Sequence, residues 1–230
     1  RLKYEQYLGY LSQNGYQFEV IPFFDLKTYK ILYSKNKSLQ KIYGTLKGFF
    51  LRFICIYKVY KADGIFITLS VVPLGPSFLE WIYVKLAKKT IYDIDDMIFQ
   101  LRTAHANRIS RFLKSKKRFY FLLEKANHCI TCTPELDNIA RRYNKNTTDI
   151  SSTINTETYI PINKYESKQD LIIGWTGSHS TVPYLHLLDS VLQELSKKYK
   201  FKLLVMGTNS FEINGVDIEC LKWNSNIEIS

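Results

Sequence analysis

Short apolar runs rich in β-branched residues alternate with longer segments of helical periodicity along most of the chain. Runs of this kind occupy residues 64–69, 90–94 and 128–133, and the order strand, helix, strand returns over residues 171–206. Strands that alternate with helices of about 10–15 residues are typical of βαβ units and a parallel sheet. The sequence therefore predicts an α/β fold.

Two domains are predicted from the same periodicity. It indicates helices at 2–12, 39–61, 77–88, 107–126, 134–143 and 182–198, and further strands at 16–22, 149–154 and 216–221. Residues 155–169 lose the pattern and contain Asn, Thr, Pro and Ser, which indicates a linker. We therefore expect one domain at 1–154 and a second at 170–230, whose 61 residues fall short of the ~100 typical of a complete doubly wound domain.

Charge is divided unevenly between these domains. Residues 1–150 contain 25 Lys and Arg against 12 Asp and Glu, a net charge of +13, and residues 151–230 contain 7 against 9, a net charge of −2. Hydrophobic residues make up 46% and charged residues 23% of the chain, which excludes a disordered or low-complexity protein. The positive surplus predicts an anionic partner for the first domain.

Part of this surplus lies on the predicted helix at 107–126. Its basic residues recur on a face separate from the apolar one, and they are Arg108, Arg111, Lys114, Lys117 and Arg118. Such a run is either a solvated helix face or a surface for an anionic membrane or nucleic acid. We take it as an outer face that helps an anionic acceptor or membrane surface to bind.

Cysteine and histidine give no strong metal signal. Cys129 and Cys132 form a lone C-x-x-C pair within strand-forming neighbours, which favours structural cysteines over a zinc or redox site. Sparse cysteines and the lack of a secretory signal indicate the cytoplasm. The most apolar stretch, 49–59, is interrupted by Arg52 and Lys58 and is too short for a spanning helix.

Three carboxylates follow the strand at 90–94. Asp93, Asp95 and Asp96 come where open α/β sheets bind ligands, and strand alternation predicts that Asp93 and Asp95 share one side. The cluster could supply a general base for an acceptor hydroxyl, bind a divalent cation, or cap a helix.

A glycine-containing loop joins the strand at 171–175 to the helix that follows. Gly174 and Gly177 allow close backbone approach, and the hydroxyls of Ser178, Ser180 and Thr181 can cap the helix or bind an anion. The loop matches neither G-x-G-x-x-G nor a G-K-[ST] motif. Its spacing fits a phosphate-binding loop and a capped turn without a ligand equally well.

Two segments together resemble bacterial group 1 (family 4) glycosyltransferases. One is Tyr-Asp-Ile-Asp-Asp, which comes after the strand that starts at Ala62–Ile65, and the other is Ile-Gly-Trp-Thr-Gly-Ser-His-Ser-Thr-x-x-Tyr-Leu, which comes after the linker. The resemblance covers nearly the whole chain. It implies the GT-B fold, two Rossmann-like domains, with this chain truncated at both ends and its second domain incomplete. In this family the first domain binds the acceptor and the second binds a nucleotide-sugar, and no metal or other cofactor is needed.

The resemblance also assigns roles to residues. Asp95 and Asp96, with Asp93, would be the catalytic residues on the acceptor side. The donor's phosphates would meet Gly174, Trp175, Gly177, Ser178, His179, Thr181 and Gly207. The family's acidic pair, Glu followed seven residues later by Glu, is not within this chain, and its usual donor-side Arg and Lys are not in the loop.

The leading interpretation is transfer of a sugar from a nucleotide-sugar to a saccharide or lipid-linked acceptor, in cell-surface polysaccharide synthesis. The enzyme would be cytoplasmic, with peripheral contact at the inner face of the membrane and no nucleic-acid partner. The alternative is a non-catalytic basic α/β module that binds an anionic membrane surface or nucleic acid through the 108–118 face.

Overall fold

Two separate parallel sheets organise the chain. The computed structural model describes residues 4–32, 34, 36–75, 77–97, 116–157, 160, 171–177 and 181–222. In these ranges one sheet has the order β1-β2-β3-β4 and the other β5-β6-β7, and every pairing is parallel. The strands are β1 Ile65–Thr68, β2 Thr90–Asp93, β3 His128–Thr131, β4 Thr147–Asp149, β5 Leu171–Thr176, β6 Phe201–Met206 and β7 Asp217–Leu221. The predicted α/β class with parallel strands is confirmed.

Helices connect these strands. They are α1 Leu8–Gln13, α2 Leu26–Ile31, α3 Ser38–Lys61, α4 Phe78–Leu86, α5 Lys116–Lys125, α6 Pro134–Arg141, α7 Val182–Leu185 and α8 Asp189–Lys198, with short 3₁₀ turns at Glu5–Tyr7 and His186–Leu188. The 24-residue α3 begins one residue before its predicted start and ends at its predicted last residue.

The chain divides into two compact units, Arg1–Thr153 and Ile154–Ser230. Each unit has its own apolar core. The first is built around the central strands and their helices, and its fully buried side chains include Tyr92, Ile94, Leu79, Leu122 and Leu123. The second contains Leu192 of α8 together with Phe201, Leu203 and Val205 of β6. The carboxyl edge of each sheet is therefore positioned by the core of its own unit.

Side-chain caps fix two of the helix starts. Asp25 accepts a hydrogen bond from the Thr28 backbone N–H at 2.8 Å at the start of α2, and Thr133 accepts one from Leu136 N–H at 3.2 Å at the start of α6. Pro134 occupies the first turn of α6, where its missing N–H costs nothing. Helix α2 has no counterpart among the predicted helices, although Asp25 is a strong N-cap signal.

The predicted strand at 16–22 is wrong. This segment has no regular structure and lies against α3, where the Ile21 carbonyl accepts hydrogen bonds from Arg52. The rings of Tyr16 and Phe18 stack with their centroids 6.3 Å apart. The alternating aromatic residues have the two-residue period of a strand, but the segment packs on α3 and does not pair with a strand.

Other predicted elements differ from the structure in their bounds. The strand predicted at 149–154 occupies Thr147–Asp149, because β3 sets its register by pairing Cys129 with Thr147. The helix predicted at 182–198 is divided by the 3₁₀ turn, where His186 Nδ1 lies 3.1 Å from Asp189 Oδ2 and Asp189 begins α8. The helix predicted at 107–126 is present as α5, and residues 107–115 lie outside the described ranges.

Candidate functional site

The carboxylates at the carboxyl end of β2 divide into one buried and two exposed groups. Asp93 is the last residue of β2 and is fully buried. Ile94 continues the pairing by donating its N–H to the Ile130 carbonyl at 2.9 Å, and Asp95 and Asp96 then emerge into solvent. Strand alternation does not extend to Asp95, because β2 ends at Asp93, and the three carboxylates differ in burial.

The C-x-x-C pair adjoins this edge. Cys132 Sγ donates to the Asp95 carbonyl at 3.0 Å, whereas Cys129 is buried in β3. Burial raises the pKa of the Cys129 thiol to about 11, and a hydrogen bond from Asn144 opposes the rise. Within the described ranges, no three His, Cys, Asp or Glu side chains are grouped closely enough to hold a metal ion. The contacts of both thiols are those of structural cysteines.

An open depression of about 510 Å³ lies at the start of α6, one residue after Cys132. Its lining residues are Thr133, Pro134, Glu135, Asn138, Ile139 and Arg142. Carboxylate, amide and guanidinium groups here can exchange hydrogen bonds with hydroxyl groups. This surface was not predicted from the sequence, since no single residue in it stands out.

A second feature of this edge is the loop that follows β1. Leu69 adopts a positive φ of 61°, and its carbonyl accepts a hydrogen bond from the Tyr92 hydroxyl at 3.0 Å. Arg52 of α3 donates from Nε to the Val71 carbonyl at 2.8 Å. The loop is thus held at the same sheet edge as Asp95 and Asp96 by side chains from α3 and β2.

A buried ion pair completes this anchoring. Arg118 of α5 donates from Nη1 to the Val72 carbonyl at 2.6 Å and also donates to the Gly75 carbonyl. Its Nε lies 3.0 Å from Glu80 Oε1, and the same oxygen accepts the Val72 N–H at 3.2 Å. Burial raises the pKa of Glu80, and the Arg118 guanidinium opposes the rise. The pair fixes the loop between β1 and α4.

This contact overturns the expectation for Arg118. The basic run predicted an outer, exposed face. Arg118 is instead buried, and its guanidinium contacts two backbone carbonyls and Glu80. Lys117 is exposed, while Arg108, Arg111 and Lys114 lie outside the described residues. Two signals in the sequence could have revealed the roles of Glu80 and Arg52. Glu80 is an acidic residue inside the apolar sequence of α4, and Arg52 is an arginine inside the apolar sequence of α3.

At the carboxyl edge of the second sheet, two glycines meet. Gly177 follows β5 and Gly207 follows β6, and the two strands pair up to Thr176 and Met206. A Cβ on Gly207 would lie 1.8 Å from the Gly177 carbonyl oxygen, which no side chain permits. Gly207 also has φ +107°, a region that favours glycine. The two loops can therefore approach each other this closely only with glycine at 207.

The amide groups of these glycines are already used by the sheet. Gly177 N–H donates to the Met206 carbonyl at 3.1 Å, and Gly207 N–H donates to the Leu221 carbonyl at 2.8 Å. Trp175 is half-buried against the second core, and a Cβ on Gly177 would meet its ring at 2.4 Å. Gly174 lies within β5 and has open space around it. Gly177 and Gly207 thus shape the edge and do not offer free donors.

The remaining predicted donor residues lie around this contact. Thr181 Oγ1 would be 2.6 Å from a Cβ on Gly177, so Thr181 stands over the glycine. Ser178 and His179 lie outside the described residues. In the loop after β6, Thr208 is buried, and its hydroxyl donates to the Ser210 carbonyl at 3.0 Å. Thr181 and Gly207 thus both lie against Gly177.

Among the described residues, no helix combines the length and apolar character that crossing a bilayer requires.

Comparison with solved structures identifies the fold. The chain is similar to a sucrose-phosphate synthase from Thermosynechococcus elongatus, with a TM-score of 0.50 and 14% sequence identity over 77% of this chain and 45% of that one. The chain thus spans less than half the length of that protein. The similarity is to a glycosyltransferase of the GT-B fold, and the two parallel sheets are Rossmann-like units of that type. No family model and no curated protein matches the sequence.

Proposed function

We propose that this chain is the acceptor-side domain and part of the donor-side domain of a glycosyltransferase. It would transfer a sugar from a nucleotide-sugar to a saccharide or lipid-linked acceptor. The observation that carries the proposal is the GT-B likeness combined with a glycine-lined loop pair at the carboxyl ends of β5 and β6. Open parallel sheets bind ligands at this edge.

The donor side would act on the leaving group. Breaking the bond between sugar and diphosphate places negative charge on the leaving phosphate, and backbone N–H groups at a strand-to-helix turn can stabilise that charge. Because the amides of Gly177 and Gly207 pair with sheet carbonyls, the donors would come from the residues between 177 and 182. The glycines would allow the diphosphate to approach the backbone.

The acceptor side would supply a hydroxyl nucleophile. Asp95 and Asp96 are the exposed carboxylates at the carboxyl edge of the first sheet, and either could accept the proton of that hydroxyl. Asp93 is fully buried, so we assign it no contact with the acceptor. Glu135, Asn138 and Arg142 line the adjoining depression and would hydrogen-bond acceptor hydroxyls.

The finer assignment rests on the sequence motifs. The two segments around Asp93–Asp96 and Gly174–Thr181 support group 1 (family 4), a bacterial origin and a role in polysaccharide synthesis. On the same basis we propose a cytoplasmic enzyme that works without a metal cofactor.

Calorimetry and a transfer assay test the proposal. We expect UDP, GDP or a related nucleotide to bind, and Gly207→Ala to weaken binding at least about tenfold, because displacing the loop pair removes a contact worth ~1.4 kcal/mol or more. Tyr199→Ser is the matched control, because Tyr199 precedes β6 at the amino edge and is exposed. Absence of both nucleotide binding and sugar transfer in the full-length protein would overturn the proposal.

A further inference from the structure

The long helix α3 carries an apolar stripe on the face directed away from the core. Six of its residues, which define the stripe, are Leu39, Leu46, Phe50, Phe53, Tyr57 and Tyr60, and they are between 47% and 83% exposed. Their spacing of three, four or seven residues keeps them on one side of the helix. The opposite side buries Gly44, Gly48, Cys55 and Val59. The helix is therefore apolar on both faces.

The stripe continues onto α4. The rings of Phe53 and Phe78 lie with centroids 5.9 Å apart, and Trp81 follows Phe78 by one helical turn. Both α4 residues are exposed. At 24 residues α3 is about 36 Å long, so the combined surface is an extended apolar patch of a kind that isolated soluble proteins rarely expose.

Lysines border this surface and lie against its aromatic rings. Lys85 Nζ lies 4.6 Å from the centroid of the Trp81 ring, and Lys61 Nζ lies 5.7 Å from the rings of Tyr57 and Tyr60. Tyrosine and tryptophan, with one apolar and one polar end, suit the boundary between water and hydrocarbon. Lysine side chains can keep their ammonium groups at the headgroup level while their stems stay in the apolar layer.

We propose that the α3–α4 surface binds the headgroup and upper acyl region of an anionic lipid membrane, with α3 parallel to the membrane plane. Helices bound in this way combine Trp, Phe and Leu on one face with bordering cations. The net charge of +13 on residues 1–150 favours an anionic lipid surface and opposes face-to-face pairing of two such domains. The surface is formed by residues other than those of the basic run at 108–118, and the proposal does not depend on glycosyl transfer.

Vesicle sedimentation tests the proposal in the absence of any nucleotide or sugar. The chain should bind vesicles of phosphatidylglycerol and phosphatidylcholine more tightly than vesicles of phosphatidylcholine alone, and added salt should weaken binding. Phe50→Ser with Tyr57→Ser should lower the partition coefficient about tenfold or more. Val191→Ser with Tyr199→Ser removes exposed apolar groups from the second unit and should leave binding within about twofold.

A second measurement does not depend on how well these variants fold. Lipids brominated near the headgroup should quench part of the wild-type tryptophan fluorescence, and Trp81→Phe should remove that quenching, although Trp175 and Trp223 remain. The proposal is overturned if the wild type does not bind anionic vesicles, if the stripe variant binds as well as the wild type, or if Trp81 is not quenched. A wild-type dimer that the stripe variant converts to monomer, without vesicle binding, would instead assign the surface to a second copy.

Discussion

At the scale of single residues, the buried pair of Arg118 and Glu80 holds the loop between β1 and α4. Arg118 spans two loop carbonyls, and Glu80 accepts a loop amide. A buried ion pair is costly to desolvate, but removing one partner costs more because the other charge stays uncompensated. The pair therefore matters most as the structure that fixes one edge of the candidate acceptor site.

Arg118→Met should lower the free energy of unfolding by about 3–5 kcal/mol at pH 7. Without the guanidinium, burial would raise the pKa of Glu80 further above its usual 4.5, so the folded variant would favour the protonated carboxyl. The loss in free energy of unfolding, relative to the wild type, should shrink as the pH falls toward 5 and grow as the pH rises. Urea unfolding followed by circular dichroism at both pH values measures this.

Lys116→Met is the control for that prediction, because Lys116 is exposed on the same helix and should change stability by no more than about 0.5 kcal/mol. An equal loss in both variants, or a loss for Arg118→Met that does not change with pH, would contradict the role given to the pair.

At the scale of elements, α3 packs closely on the segment that precedes it. A Cβ on Gly48 would lie 2.7 Å from both the ring and the carbonyl oxygen of Phe23. Arg52 holds the same segment through the Ile21 carbonyl. These contacts explain why residues 16–24 lie on α3 and do not join the sheet.

Gly48→Ala should destabilise the first unit by about 1–3 kcal/mol, because the added methyl group must displace Phe23 or its backbone. Gly9→Ala is a matched helical control, since nothing lies within 4 Å of its Cβ, and alanine should stabilise α1 by up to about 1 kcal/mol. Thermal unfolding compares the two variants. If Gly48→Ala is as stable as Gly9→Ala, the packing described for α3 is incorrect.

The elements also show what a sequence can predict. Strong periodicity located α3, β1, β3 and β6 to within two residues, because each buries a regular apolar pattern. Arg118 was assigned to the wrong environment because its partner, Glu80, is 38 residues earlier in the chain and shares no local pattern with it. The contact between Gly177 and Gly207 depends in the same way on the pairing of β5 with β6.

At the scale of the whole molecule, the two units have opposite net charges and different surfaces. The positive unit carries Asp95, Asp96 and the α3–α4 surface, and the other carries the glycine loop pair. The α/β class followed from the alternation of strands and helices, and the GT-B type was implied by the family resemblance that two motifs carry. The burial of Asp93 could not be predicted, because it depends on which neighbours cover the end of β2.

We propose that the loop pair at the ends of β5 and β6 binds the diphosphate of a nucleotide-sugar. The most direct test is a titration of protein labelled with ¹⁵N at its ten glycines, followed by amide chemical shifts as UDP, GDP and their sugars are added. We predict progressive, saturable shifts of the Gly177 and Gly207 signals, with Gly9, Gly44 and Gly48 unchanged. The proposal would be contradicted if saturating nucleotide left the Gly177 and Gly207 amide signals unchanged. It would also be contradicted if only the signals of glycines in the first unit shifted.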